Sequence, residues 1–403
     1  MKKLVPFDRE RLALNQALPF GLYAPEGRLL LSAGQSISSP DRLQELLANE
    51  VCADAQEVAD WERRMGAAVD EALRRNGTLG AVASAQPKQL AQSSQDTRAA
   101  LPLPDQWEEL VTALDAALRD VQPGEPWLAQ AQAVQARARQ LGQRRADACL
   151  YYLVYTCGDT VTSYSSRHAL LTMLVMERAG EILGWSPEQC SSAGNAALTM
   201  NVSMSRLQDL LAEADLTPTE QMRDQIDTHP ERSADLLQHE GVTDSLWLEA
   251  VRRHHAPEEP GEVIAELPLE TQVARLLRRV DIFTAKMSRR RVRPPMSPVR
   301  AAKEACIGAD GRPDLFGQAL IKALGLYPPG SFVELNSGEL GVVVSRGKRA
   351  NLPLVASLIT STGAPLGEPI LRDTSLPRFA VKTSVNRTRI KVRPAHARLI
   401  ALI

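Results

Sequence analysis

Aromatic side chains and paired cysteines are scarce in this sequence, and both shortages limit what the chain can be. Only 4% of its 403 residues are aromatic, so aliphatic side chains must supply most of the packing, which a hydrophobic fraction of 44% allows. The five cysteines are scattered and none forms a C-x-x-C pair, which argues against a disulfide framework or a zinc knuckle. A chain of this length is expected to fold as two or three domains.

An excess of positive charge and a long apolar run are also missing. The formal net charge is -1, which excludes a polyanion-binding protein by bulk charge. The start, MKKLVPFDRE, has two lysines without an apolar run behind them, so no signal peptide is predicted. The longest strongly apolar stretch, 148–155, is far too short to span a membrane. We therefore expect a cytoplasmic protein with no membrane partner.

The first part of the chain predicts a small α/β module at 1–65. Two apolar runs flank the turn signal Pro-Glu-Gly at 25–27, which is typical of a hairpin. Ser39 and Pro40 then suit the N-cap and the first position of a helix. At 66–104 the composition changes to Ala, Gln, Ser, Gly and Pro without a period, which predicts a flexible linker.

The middle and the end of the chain differ in pattern. Residues 105–325 follow helical patterns almost throughout, including a predicted helix at 189–213. At 326–403, strand-like alternation surrounds turn signals at 336–338 and Gly363, which predicts a small, barrel-like β domain. The predicted fold class is mainly α, with a helical bundle between two small modules.

Five of the six histidines lie between 168 and 255, within the helical region. His168, His229 and the adjacent pair His254 and His255 fall on or near predicted helices. Asp281 follows on another helix, where an inward carboxylate has room. Imidazoles and a carboxylate that converge from several helices suit zinc, iron or manganese. The alternative is that each histidine is a separately satisfied side chain.

These residues stand in segments whose order resembles the HD-GYP subgroup of the HD superfamily. Members of that subgroup are helical, metal-dependent phosphodiesterases that open the bacterial messenger cyclic di-GMP. The resemblance covers about 165–330 and implies an HD-type helical bundle for 105–325. The segments that carry it are, in chain order, RHALL, AALTMNVSM, IDTHPERSADLL, AVRRHHAPEE, RRVDIFTAKMSRR and LGLYPPGSFVELNSGELGVVV.

The segment AALTMNVSM departs from the family's A-A-L-L-H-D-x-G-K motif at its reactive positions. The motif's histidine falls on Met200, its aspartate on Asn201 and its lysine on Met204. In the family the aspartate bridges two metal ions, whereas an amide offers one neutral oxygen, and methionine cannot pair with a phosphate. Ala256 stands where the family has a glutamate, and the G-Y-P turn is missing. The resemblance therefore implies a pseudo-enzyme, for which no catalytic residue is predicted.

The ligand positions that remain divide unevenly between the two metal positions of the family. One position keeps only His168 and Asp281, and two ligands rarely hold a divalent ion against water. The other keeps His229, His254 and His255, a three-imidazole set with an open position, as in mononuclear zinc enzymes. The predicted cofactor is therefore either none or a single divalent ion of zinc, iron or manganese.

A basic segment follows the last of these residues. From 275 to 303 there are ten basic residues and one acid. The family often has an arginine near Arg290 that faces nucleotide phosphates, so Arg290 is a candidate ligand-binding residue. The alternative is a solvated helix end and loop. Nucleic acid is not predicted as a partner, because no aromatic stacking residues interleave the arginines.

Three functions follow from the resemblance and its departures. The first is a catalytically inactive HD-GYP-like signalling protein that binds cyclic di-GMP or a partner such as a diguanylate cyclase or a response regulator. The second is an active metal-dependent phosphodiesterase or phosphohydrolase with a reduced site on the three histidines. The third is a structural scaffold that resembles the related HDOD modules and binds neither metal nor nucleotide.

Overall fold

The structure is a computed structural model in which the chain divides into two compact units, 1–112 and 113–403. It describes residues 4–8, 12, 14, 20–32, 34–35, 37, 39–55, 57–58, 61, 101–119, 121–122, 124–258, 262–307 and 313–403. The predicted flexible linker at 66–104 lies outside these residues except for its last four. Within the described ranges, no helix is both long and apolar enough to cross a membrane.

The described residues of the first unit include a four-stranded antiparallel sheet and a helix. The strands β1 (Leu4–Pro6), β2 (Leu22–Tyr23), β3 (Leu29–Leu31) and β4 (Cys52–Asp54) pair in the order β1-β4-β2-β3. The predicted hairpin is present, because β2 pairs with β3 across a turn at Gly27, whose φ is +89°. The helix α1 (Pro40–Ala48) begins as predicted, with the Ser39 hydroxyl accepting from Arg42 N.

Helices make up most of the second unit, which confirms the mainly α fold class. The helix α2 (Leu103–Arg119) includes the division between the units. The helices that follow are α3 (Trp127–Arg144), α4 (Ala146–Asp159), α5 (Tyr164–Leu183), α6 (Pro187–Thr199), α7 (Ser205–Glu213), α8 (Glu220–His239), α9 (Ser245–Arg253), α10 (Leu269–Met287), α11 (Pro298–Cys306) and α12 (Leu315–Leu324).

The centre of this bundle is α5, which is buried along most of its length and contacts α4, α6, α10 and α12. Its neighbour α4 is buried from Ala148 to Cys157 without interruption. A helix that is apolar on all sides must be enclosed by other elements, so the apolar stretch at 148–155 belongs to the core.

The predicted continuous helix at 189–213 is wrong, because the chain leaves the helix after Thr199. A 3-10 turn at Val202–Met204 separates α6 from α7. At this turn the backbone N–H of Ser203 donates to the Ser233 hydroxyl on α8, at 3.2 Å, instead of to a helical carbonyl. The indole N–H of Trp247 donates to the Thr199 hydroxyl at 2.8 Å, which holds the end of α6 against α9.

A five-stranded antiparallel sheet follows α12. Its strands are β5 (Phe332–Leu335), β6 (Leu340–Ser345), β7 (Leu354–Ile359), β8 (Pro365–Asp373) and β9 (Val381–Ser384), and a short helix, α13 (His396–Ile400), follows them. The order is β8-β7-β6-β5-β9, with the predicted hairpin turns at Gly338 and Gly363. Strands β8 and β9 stand at opposite edges without pairing in the described chain, so barrel-like closure is not shown.

A buried carboxylate, Glu177 on α5, lies inside the bundle. The Gln135 amide donates to its Oε1 at 2.6 Å, and the Arg139 guanidinium lies 3.5 Å from its Oε2. A side chain on Gly194 of α6 would overlap this carboxylate, so Gly194 leaves the space that it fills. Burial raises the pKa of Glu177 to about 7, although the Arg139 charge acts in the opposite direction.

The raised pKa of Glu177 predicts a pH-dependent stability. The folded state favours the protonated form of Glu177, so the stability that this group contributes is fully present below the unfolded pKa of 4.5. That stability is lost as the pH rises through the folded-state pKa of about 7. We expect Glu177→Gln to be more stable than the parent by about 2–3 kcal/mol above pH 7.5, and equal to it near pH 4.5. Urea denaturation of both proteins from pH 4.5 to 8 checks this, and a constant difference across the range would contradict it.

Candidate metal centre

Three imidazoles meet between α8 and the C-terminal end of α9. His229 lies in the interior of α8, and His254 and His255 directly follow the last residue of α9. One ligand nitrogen from each ring lies within 4.8 Å of the other two. Successive residues of a continuous helix point about 100° apart. Because α9 ends before these two, the rings of His254 and His255 lie together, with centroids 4.3 Å apart.

The hydrogen bonds of two of these rings determine where their protons are. His229 Nδ1 donates to Ile226 O at 2.5 Å, and His254 Nδ1 donates to Val251 O at 2.6 Å. A carbonyl oxygen only accepts, so each Nδ1 carries the proton, and each Nε2 of a neutral ring then carries a lone pair. Metal-binding histidines are commonly fixed in this way by a backbone carbonyl.

The two lone pairs face each other across a short distance. His229 Nε2 and His254 Nε2 are 3.2 Å apart, and the two residues are 1% and 0% exposed. Burial lowers the pKa of His229 to about 4 and that of His254 to about 3, so neither ring supplies a second proton near neutral pH. Two nitrogens on one tetrahedral zinc ion, each at about 2.05 Å, are about 3.3 Å apart. The pair therefore fits a shared cation.

His168 and Asp281 pair with each other beside this cluster. His168 Nε2 lies 2.8 Å from Asp281 Oδ1. Burial alone would raise the pKa of Asp281, but the hydrogen bond with His168 lowers it to about 2. Asp281 is thus an ionised carboxylate within electrostatic reach of the three imidazoles. Among the described residues, the group with metal-ligand spacing contains the three histidines without this pair.

The replaced motif positions lie between α6 and α7, with Met200 and Asn201 just before the 3-10 turn and Met204 at its end. Met200 is buried, Asn201 and Met204 are half-buried, and the Asn201 carbonyl accepts from Met204 N at 2.9 Å. The Ser203 hydroxyl donates to the carbonyl of His229 at 3.1 Å. The turn is therefore anchored to the helix residue that carries the first imidazole. Sequence reasoning missed this anchor. The available signal was Ser233, which stands four residues after His229 on α8 and whose hydroxyl accepts from Ser203 N.

Arg290, the candidate ligand-binding residue, is joined to the His168 side of the site through an aromatic ring. Its Nη2 donates to the Tyr164 hydroxyl at 3.3 Å, and its guanidinium carbon lies 5.2 Å from the ring centroid. The Tyr164 ring stacks on His168, with an interplanar angle of 8°. Ligand binding by Arg290 stays a prediction.

The segment that follows the paired histidines is held by arginines of α10. Arg275 Nη1 donates to the carbonyls of Ala256 and Pro257, and its Nη2 lies 3.0 Å from Glu262 Oε2. Arg279 pairs with Glu258 at 3.3 Å. His255, at the start of this segment, is exposed, so the cluster opens to solvent on that side.

Comparisons with known proteins add one distant likeness. No protein-family model and no curated protein matches the chain. The chain is similar to a solved structure, that of Bd1817, a HDG"Y"P protein from Bdellovibrio bacteriovorus. The similarity covers 79% of this chain and 99% of that chain, with 13% sequence identity and a TM-score of 0.41. A likeness of this degree establishes neither an activity nor a ligand for this chain.

Proposed function

We propose that this chain is an HD-GYP-like signalling protein that holds one divalent metal ion on His229, His254 and His255. At this centre it binds a phosphate-containing ligand, with cyclic di-GMP as the first candidate, and does not hydrolyse it by a two-metal mechanism. The observation that carries the proposal is the 3.2 Å approach of the two Nε2 atoms, both left without a proton by the hydrogen bonds at Nδ1.

The side chains favour one ion over two. Two-metal cleavage of a phosphodiester needs paired ions that hold the attacking and the leaving oxygen. The residue that would bridge them is Asn201, whose neutral amide is a poor substitute for a carboxylate. His168 and Asp281, which the family would use for the other ion, already bond to each other at 2.8 Å.

The exposed side of the cluster is where a ligand would enter. Three neutral imidazoles leave the full charge of a divalent ion uncompensated, and such an ion polarises a phosphate oxygen as a Lewis acid. Imidazole ligands suit zinc, iron and, less strongly, manganese. The chain itself supplies two buried rings with fixed tautomers and one exposed ring at the entrance.

A second candidate function is phosphohydrolysis at the same single-metal centre. The observation that favours it is the exposure of His255, since water can reach a position beside the cluster. A three-histidine metal centre with an open position can activate that water. The third alternative, an HDOD-like scaffold, requires that neither metal nor nucleotide binds.

Incubation with cyclic di-GMP separates these functions. We expect the purified chain, loaded with manganese or iron, to bind the dinucleotide and to form no linear product above the level of a His254→Ala variant. Liquid chromatography of the reaction mixture measures the product, and equilibrium dialysis measures binding. Linear product that disappears in His254→Ala would favour the hydrolase. A chain that takes up neither metal nor dinucleotide would favour the scaffold.

Signalling partners are part of the same proposal. A diguanylate cyclase or a response regulator is the expected class of protein partner, as the resemblance implies. In the family the segment after the paired histidines has been associated with docking, and here Arg275 and Arg279 hold that segment against α10.

A further inference from the structure

We propose that Arg278 is the anion-binding residue of the metal centre, and that its guanidinium pairs with a phosphate group of the ligand. This inference rests on the proposed metal site and names the residue that selects the ligand class. Arg278 lies on α10, three residues before Asp281 and therefore on the same side of that helix.

One carbonyl oxygen places Arg278 at the rim of the site. Ala256 directly follows His255, and its carbonyl accepts from Arg278 Nη1 at 2.7 Å. The same carbonyl accepts from Arg275 Nη1 at 2.9 Å. Arg275 therefore holds the segment after the histidines by itself, and Arg278 can release the Ala256 carbonyl without freeing that segment.

The three arginines of this part of α10 differ in how fully they are paired. Arg275 is buried and donates to two carbonyls and to Glu262. Arg279 pairs with Glu258 and with Asp314. Arg278 is half-buried, and in the described part of the chain Ala256 O is its acceptor. A guanidinium has five N–H donors, so most of those on Arg278 remain for a ligand.

The charges around His255 favour an anion at this position. Arg278 donates to the carbonyl of Ala256, the residue that directly follows His255, so its positive charge lies beside the exposed imidazole. The Asp281 carboxylate is already paired with His168. A divalent ion held by the three histidines would join the Arg278 guanidinium as a second positive centre at this entrance.

A phosphate group matches this pair of positive centres. One of its oxygens can bind a metal ion while another accepts from the guanidinium, whose planar fork suits phosphate oxygens. A phosphate monoester or diester therefore fits better than a cation or a neutral sugar. Lysine would keep the charge at 278 but would lose the fork.

Titration of cobalt-loaded protein with inorganic phosphate tests the inference, with cobalt absorption as the signal. We expect Arg278→Gln to raise the dissociation constant for phosphate by about 10- to 100-fold, and Arg278→Lys to raise it by less. Arg253→Gln is the matched control. It removes the same charge from an exposed arginine that bonds to the Thr271 hydroxyl at 3.3 Å, and it should change phosphate affinity by less than about 3-fold.

The outcomes separate this inference from the proposed function. Unchanged phosphate affinity in Arg278→Gln, with one equivalent of cobalt still bound, would overturn the role of Arg278 and leave the metal site intact. Loss of cobalt together with a lower melting temperature in Arg278→Gln would also overturn it, since Arg278 would then be a structural clamp. Failure of the unmodified chain to take up cobalt would instead refute the metal site, and the inference with it.

Discussion

Replacing His254 with alanine should lower the affinity of the chain for a divalent metal ion by roughly 100- to 1,000-fold. The binding free energy of a structural zinc site with four ligands is about 10–16 kcal/mol, so each ligand contributes about 2.5–4 kcal/mol. The loss of one ligand then lowers the affinity by roughly 100- to 1,000-fold. The effect at His254 should be at the upper end. The ring is 0% exposed, and its Nε2 faces that of His229 at 3.2 Å.

Metal analysis of the purified proteins measures this effect. The unmodified chain should carry close to one equivalent of zinc, iron or manganese, and His254→Ala should carry much less. His239→Ala is the matched control, because it deletes an exposed imidazole at the end of α8, outside the cluster. A chelator should also lower the melting temperature of the unmodified chain and leave that of His254→Ala unchanged. Equal metal content in His254→Ala and His239→Ala would rule out His254 as a ligand.

Local features of the fold were predictable because their causes lie within a few residues. Ser39 caps α1 through the N–H of Arg42, three positions away, and the turn at Gly27 joins two adjacent strands. The helical and strand-like patterns likewise separate 105–325 from the sheet that follows. The gathering of His229 with His254 and His255 could be expected from the order of the motif segments, although the pattern alone left separate core histidines open.

Features that depend on distant residues could not be predicted. At the break after Thr199, Ser203 N donates to the Ser233 hydroxyl, thirty positions away, in place of a helical carbonyl. The absence of a proton at the facing Nε2 atoms follows from hydrogen bonds to Ile226 and Val251 that periodicity does not reveal. The pairing of His168 with Asp281 depends on the placement of α5 against α10.

The packing of the C-terminal sheet on α4 also depends on residues that are far apart in the sequence, because Gly330 lies against the backbone of Tyr151 and Tyr155. Its φ is +93°, its N–H donates to Val343 O at 2.7 Å, and its Cα lies against the backbone of α4. A Cβ at this position would lie 2.5 Å from Tyr151 O and 2.7 Å from Tyr155 N. These are backbone atoms of a buried helix, so neither can move without displacing the sheet from the bundle.

Gly330→Ala should therefore destabilise the chain by about 3–5 kcal/mol, of which the left-handed backbone accounts for about 1–2 kcal/mol and the overlap for the rest. Gly363→Ala separates the two causes. Gly363 has a similar φ of +86°, but a methyl group added there would meet no atom of the described chain within 4 Å, so this variant should lose about 1–2 kcal/mol. Thermal denaturation of the two variants and the parent measures both. Equal shifts in melting temperature would show that α4 and the sheet separate more easily than the contact at Gly330 implies.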